Sequence, residues 1–183
     1  GLSGLIAAIT ASSEGHKVCI IEEKPHLGGK LRFSYRFPFL IENFTDIDGL
    51  FEDLLQKIKS KKNIEIFTGS TAIGYYREGK ILVKQQNDLL SILPKKVILA
   101  TGSYDTPMIF RNNDAPGIIS RRAAEKLVNL FGIKPGNNIV YYVLNREDLH
   151  FVRKMGDLGL KISAIMGTKR VLEQESSAVA RLQ

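Results

Sequence analysis

The sequence predicts an α/β fold in which helices alternate with short apolar strands of a largely parallel sheet. A helical pattern over residues 4–14 is followed by a continuous apolar strand over residues 18–21, and the same alternation returns beyond residue 135. Between these two regions, short strands separated by turn residues indicate an inserted antiparallel β-meander. Helices on a parallel sheet with such an insertion define a mixed α/β class.

Composition limits the possible classes of function. The chain has 183 residues, 44% of them hydrophobic, and its apolar runs are strand-sized, so we expect a globular domain without a membrane span. The single cysteine, Cys19, rules out an internal disulfide framework and favours a cytoplasmic protein. Its place in an apolar strand predicts a buried structural thiol. The formal charge of +7 is spread along the chain, and we expect no nucleic-acid binding.

The first thirty residues match most of a dinucleotide-binding motif. Such a βαβ unit carries G-x-G-x-x-G after its first strand and an acidic residue about 20 positions further on. Gly1 and Gly4 fit the second and third glycines, and Glu22 ends the next strand. The first glycine and its strand would lie upstream of residue 1, so we expect a truncated chain. The spacing predicts a Rossmann-like FAD/NAD(P)-binding domain.

The remaining elements follow from local patterns. A helix is expected from near Thr45, with Thr45 and Asp48 forming a capping box, and strands are expected at residues 64–67, 72–76, 81–84 and 97–100. Ser120 and Gly132 should cap a helix over residues 121–131. We therefore divide the chain into an FAD/NAD-binding domain (1–103, with its β-meander at about 64–85), a linker and helix (104–134), a partial second βαβ unit (135–167) and an unassigned tail (168–183).

The candidate cofactor site lies around the first helix. Gly4 would let a pyrophosphate approach the positive end of that helix, and Glu22 would accept hydrogen bonds from the adenosine ribose. A carboxylate there would repel a 2′-phosphate, which favours FAD or NAD over NADP. Gly28 and Gly29 would bring a second loop close to the phosphates. The full set of candidates is Gly1, Ser3, Gly4, Glu22, Glu23, Gly28, Gly29, Lys30, Ala72, Ala100, Thr101 and Gly102.

Other kinds of site are not indicated. The strand-to-helix turn of the second βαβ unit, residues 144–148, has no glycine and carries acidic residues, which argues against a second nucleotide there. The three histidines are far apart in sequence, and no metal-ligand spacing, nucleophile elbow or cysteine pair is present. We assign no catalytic residue. In flavin and nicotinamide enzymes the cofactor supplies the chemistry, so this is expected.

Several motifs resemble known families. Residues 1–8, 20–23 and 27–29 resemble flavoproteins with two dinucleotide-binding domains, related to glutathione reductase, and residues 98–103 are similar to their A-T-G motif. The run from Ala100 to Gly117, followed by residues 134–140, is similar to the sarcosine oxidase alpha-subunit group, which includes alpha subunits of dye-linked L-proline dehydrogenase, hydrogen cyanide synthase and opine oxidase. The resemblance covers residues 1 to about 167.

The resemblance implies an FAD-dependent oxidoreductase subunit, with NAD as the alternative cofactor. It would take hydride from the C–N bond of a small amine or amino acid, within a hetero-oligomer whose partner chain often holds the substrate-oxidising flavin. One alternative is a non-catalytic dinucleotide-binding scaffold or electron-relay subunit. Another is an NAD(P)H-dependent flavin reductase, which is less favoured because no C-x-x-C pair is present.

Overall fold

The chain folds as two units, and its structure, a computed structural model, describes residues 1–34 and 47–174. The first unit comprises Gly1–Arg32 and Ile41–Tyr104, and the second comprises Phe33–Leu40 and Asp105–Gln183. Both units contain helices and a parallel strand pair, which confirms the predicted α/β class. The predicted capping box at Thr45 lies outside the described residues.

The first unit is built on helix α1 and a parallel strand pair. Helix α1 (Leu2–Ser13) leads into strand β1 (Val18–Glu22), which pairs in parallel with β2 (Ile64–Thr68). Helix α2 (Ile47–Ser60) lies between the two strands in sequence and packs on α1. The apolar stripes of the two helices form the core, with Leu5, Ala8, Leu54 and Ile58 buried.

One side chain fixes the start of β2 against the end of α1. The Asn63 amide donates hydrogen bonds to the carbonyls of Ser12 (2.9 Å) and His16 (2.8 Å), and its oxygen accepts one from the Ser12 hydroxyl (2.6 Å). The Val18 N–H donates to the Asn63 carbonyl at 2.8 Å. These bonds set the first residue of each strand side by side, which gives the observed register of Val18 opposite Ile64.

A separate antiparallel sheet follows β2. It contains β3 (Ser70–Tyr75), β4 (Ile81–Gln85) and β5 (Asp88–Ile92), in that order. The meander therefore runs over residues 70–92 rather than about 64–85, because the strand at 64–68 pairs in parallel with β1. Strand β5 was not predicted. Its signal is the two-residue turn Gln86–Asn87, in which Gln86 has the positive φ of 52° that tight hairpins require.

Two further predictions for this unit were wrong. Residues 97–100 join no sheet in the described part of the chain, and Leu99 is 83% exposed. An apolar run becomes a strand only where a neighbouring strand pairs with it. Cys19 is exposed rather than buried, because strand side chains alternate and it lies on the face opposite Val18 and Ile20. Partial desolvation, together with the Glu65 carboxylate opposite, raises the pKa of the Cys19 thiol.

The second unit is a helix followed by a βαβ motif. It contains α3 (Arg121–Phe131), β6 (Ile139–Val143), α4 (Arg146–Asp157), β7 (Ile162–Gly167) and α5 (Lys169–Gln174). Strands β6 and β7 are parallel, and α4 covers them with the buried side chains Leu149, Phe151, Val152 and Met155. As predicted, the Ser120 hydroxyl caps α3 by accepting from the Ala123 N–H at 3.2 Å, and Gly132 ends the helix with φ 62°.

Helix α3 buries one carboxylate. Glu125 is 1% exposed; its Oε2 accepts from the Ser34 hydroxyl at 3.2 Å, and its Oε1 lies 3.7 Å from Nε of Arg121. Desolvation raises the pKa of Glu125, although Arg121, Ser34 and Arg122 oppose it and Asp105 adds to it. The folded chain therefore holds the Glu125 proton at pH values at which the unfolded chain has released it.

This sets the sign of a pH dependence. We expect the free energy of unfolding of the second unit to fall as pH rises from the unfolded pKa of a glutamate through the raised pKa of Glu125, by about 1.4 kcal/mol per unit of pKa difference. Glu125→Gln should flatten that slope. Urea unfolding at a series of pH values measures it, with Asp157→Asn, on the exposed end of α4, as the control. An unchanged slope in Glu125→Gln would contradict this assignment.

Candidate functional site

The candidate site lies at the N-terminus of α1. Gly1 is the N-cap, and the first intrahelical bond runs from the Leu5 N–H to the Gly1 carbonyl at 3.0 Å. The N–H groups of the first turn therefore have no partner within the helix. No side chain in the described ranges caps them, and the first turn has no acidic residue. Such donors, together with the positive end of a helix dipole, can bind an anion.

Three segments of the chain converge on this helix end and leave little room for further side-chain atoms. A Cβ added to Gly29 would lie 3.0 Å from the Cα of Gly1, and Gly29 itself has φ 53°. A Cβ on Gly4 would lie 3.3 Å from the Cβ of Ala100. The predicted G-x-x-G helix, Gly-Gly loop and A-T-G segment thus meet, as a dinucleotide site requires.

Glu22 is held close to the same helix end. One carboxylate oxygen accepts from the Lys24 N–H at 3.0 Å, and the other lies 4.0 Å from the Gly1 nitrogen. The side chain is 19% exposed. One oxygen is thus used to orient the carboxylate at the end of β1, and the second is directed toward the entrance of α1, where a ribose hydroxyl could donate to it.

A hydrogen bond joins the two loops beside the helix end. The Lys30 ammonium donates to the Ser103 hydroxyl at 2.9 Å, and both residues are exposed. Lys30 lies next to Gly29 in the short helical turn Gly29–Arg32. Ser103 directly follows the A-T-G segment. Ser103 was not predicted as a site residue, although it directly follows Gly102 in the sequence. The pair places a positive charge at the mouth of the site.

The other predicted site residues are placed less directly. Gly28 is buried with φ 115°, and a Cβ there would lie 2.5 Å from the Phe51 ring, so Gly28 lets the loop pack on α2. Gly102 has φ 75° and continues the A-T-G segment from Thr101. Ser3 is exposed on the first turn of α1. For these four residues a direct cofactor contact stays a prediction.

Two predicted residues are not brought to the helix end by any described contact. The Glu23 carboxylate pairs with the Lys24 ammonium at 2.9 Å, and that bond raises the pKa of Lys24. Ala72 is exposed on β3, opposite Val83. Their roles also stay predictions.

The geometry fits the diphosphate and ribose of a dinucleotide. Gly4 and Gly29 add no side chain of their own at the helix end, and Glu22 and Lys30 add one negative and one positive group at its border. Within the described ranges, no cluster of three histidine, cysteine or acidic side chains could hold a metal ion. None of the described helices combines the length and apolar character that a membrane crossing requires.

The decisive comparison is with protein families. Residues 1–97, which contain the α1 N-terminus, Glu22 and the Gly28–Gly29 loop, match the family of FAD dependent oxidoreductases. The chain belongs to this family. Its cofactor is therefore FAD, and the predicted Rossmann-like FAD-binding fold is consistent with the parallel β1–β2 pair on α1.

Three individual proteins are similar to this chain. The chain is 25% identical over its whole length to the sarcosine oxidase subunit alpha of Rhizobium meliloti (strain 1021) and spans 20% of that protein. It is 34% identical over 110 residues, 60% of the chain and 14% of the relative, to an NADH oxidase from Thermoanaerobacter brockii. Its fold matches an L-proline dehydrogenase from P. horikoshii with a TM-score of 0.77 and 28% identity, over 91% of this chain and 34% of that one. The chain thus spans about one fifth of its sarcosine oxidase relative.

Proposed function

We propose that this chain is the FAD-binding part of an oxidoreductase that removes hydride from the carbon next to the nitrogen of a small amine or amino acid, so that the C–N bond becomes an imine. The observation that carries the proposal is the meeting of Gly1, Gly4, Gly29 and Ala100 at one helix end, in a chain similar to a sarcosine oxidase subunit and an L-proline dehydrogenase. When bound, FAD accepts the hydride. The protein's part is to hold and orient the cofactor.

Each predicted residue has a proposed part in that binding. The first-turn N–H groups of α1, around Ser3 and Gly4, bind the pyrophosphate, and the Glu22 oxygen that faces α1 accepts from the ribose. Lys30 neutralises phosphate charge from the second loop. Residues 100–102 pass beside the dinucleotide, with Glu23 and Ala72 at the border of its adenosine end. We identify no catalytic acid or base.

We further propose how the chain is divided into segments. Residues 1–103 form the FAD domain, 104–134 a linker and helix, 135–167 part of a second nucleotide-binding-like unit, and 168–183 a tail without an assigned role. Partner subunits are proposed because the relative named a subunit alpha works in an assembly. The proposed location is the cytoplasm, supported by the single cysteine.

The substrate class is tested by anaerobic titration of the protein expressed from its complete gene, with sarcosine and L-proline as probes. Loss of flavin absorbance on adding either amine is the expected result. Adding NADH to a second sample tests the other candidate, an NAD(P)H-dependent flavin reductase, which the NADH oxidase relative favours. Bleaching by NADH but by neither amine would overturn the proposal. Flavin that stays oxidised in every sample, with and without partner subunits, would favour the scaffold alternative.

A further inference from the structure

The strand-to-helix turn of the second unit holds an anion that belongs to the chain itself. Oδ2 of Asp148 accepts hydrogen bonds from the backbone N–H of Leu144 at 2.7 Å and of Asn145 at 3.3 Å. These are the N–H groups between the end of β6 and the start of α4. Asp148 is 7% exposed, so its carboxylate is fixed inside this turn rather than displayed to solvent.

Asn145 and Arg121 also interact with Asp148. The Asn145 side chain accepts from the Asp148 N–H at 3.1 Å, which closes a reciprocal capping box at the start of α4. The other carboxylate oxygen of Asp148 lies 3.3 Å from Nη1 of Arg121, on α3. The carboxylate thus receives two backbone N–H groups, the helix dipole and a guanidinium. A phosphate at a helix N-terminus uses the same kinds of group.

We propose that Asp148 is an internal anion that occupies the phosphate position of the second unit and keeps pyrophosphate-containing ligands, NAD(P)H included, from binding at this turn. Two negative groups cannot share one set of donors a few ångströms apart without strong repulsion. The turn also lacks the glycines that would let a pyrophosphate approach its backbone. Asp148 is therefore a specificity-determining residue.

The proposal concerns the second unit alone and does not depend on FAD binding at α1. It has one consequence for function, however. If the β6–α4 turn takes no nicotinamide dinucleotide, electrons do not enter the protein from NAD(P)H bound there. That agrees with an amine as the electron donor and separates this chain from a reductase with two dinucleotide sites.

The test compares Asp148→Ser with Asp157→Ser, which removes the same charge from the exposed C-terminal end of α4. The probes are inorganic pyrophosphate and NADH, and the readout is the amide NMR signals of Leu144 and Asn145 in the labelled protein. We expect neither probe to shift these signals in the wild type or in Asp157→Ser. Asp148→Ser should bind pyrophosphate at this turn at least about tenfold more tightly.

Two results would overturn the proposal. One is a saturable shift of the Leu144 and Asn145 amides by NADH in the wild type. The other is an Asp148→Ser protein that is folded but gains no pyrophosphate affinity. If that variant does not fold, Asp148→Asn keeps the side-chain shape and removes only the charge, and the same gain is required of it. Flavin content, recorded on the same samples, reports the first unit separately, so the two proposals can fail independently.

Discussion

Glu22→Ala is expected to weaken FAD binding by roughly 10- to 150-fold. The change removes the carboxylate oxygen that faces the entrance of α1, and a hydrogen bond to a charged group contributes about 1.5–3 kcal/mol. Titration of the flavin-free protein with FAD, followed by quenching of flavin fluorescence, measures the dissociation constant. Fold stability should change little, because Glu22 is a partly exposed residue at a strand end.

The matched control is Glu23→Ala. It removes the same charge one residue later, where the carboxylate pairs with the Lys24 ammonium instead of facing α1. We expect a smaller loss of FAD affinity than in Glu22→Ala, because Glu23 is proposed only at the border of the adenosine end and its carboxylate already pairs with the Lys24 ammonium. If Glu22→Ala binds normally and Glu23→Ala loses affinity, the ribose contact belongs to Glu23 and our placement of the adenosine is wrong.

Gly28→Ala is expected to lower the free energy of unfolding by about 2–4 kcal/mol. Two costs add at this buried position: the φ of 115° that alanine tolerates poorly, and a Cβ placed 2.5 Å from Cζ of Phe51. The loop would have to leave α2, which would also move Gly29 from Gly1 and weaken FAD binding. Thermal and urea unfolding measure the stability, and flavin content measures the second effect.

Gly69→Ala is the control for backbone strain alone. Gly69 has φ 61° in an exposed turn, and a Cβ there meets no atom within 4 Å. We expect a loss of roughly 1–2 kcal/mol, with flavin content unchanged. Equal losses in the two variants would mean that the packing of Gly28 on Phe51 adds nothing to stability.

Local patterns predicted most elements because helix caps and periodicity are short-range features. The Ser120 cap, the Gly132 end and the alternation from α3 to β7 follow directly from residues near one another in sequence. Which strands pair with one another does not follow from nearby residues. The run at 97–100 has the apolar character of a strand but no partner in the described residues, and the strand at 64–68 pairs with β1 rather than with the meander.

The residues of the site also fall into two groups: those that the sequence could predict, and those that depend on how the elements pack. Gly1, Gly4, Gly29 and Glu22 could be predicted because backbone approach to a phosphate requires glycine and a ribose requires an acceptor, and both requirements leave a fixed spacing. The Lys30–Ser103 bond joins residues 73 positions apart, and the contact of Gly28 with Phe51 joins a loop to a helix. Such contacts depend on how the elements pack. The acidic turn at 144–148 was recognised, but only the structure shows that Asp148 itself fills the anion position.

We propose that the first unit holds FAD at the N-terminus of α1. The most direct measurement is the identity and amount of nucleotide released when the protein, purified from its complete gene, is denatured and the supernatant is analysed by mass spectrometry, with Glu22→Ala run in parallel. We expect FAD in the wild-type supernatant and a markedly lower yield from Glu22→Ala. A wild-type protein that releases no flavin, or NAD alone, would contradict it.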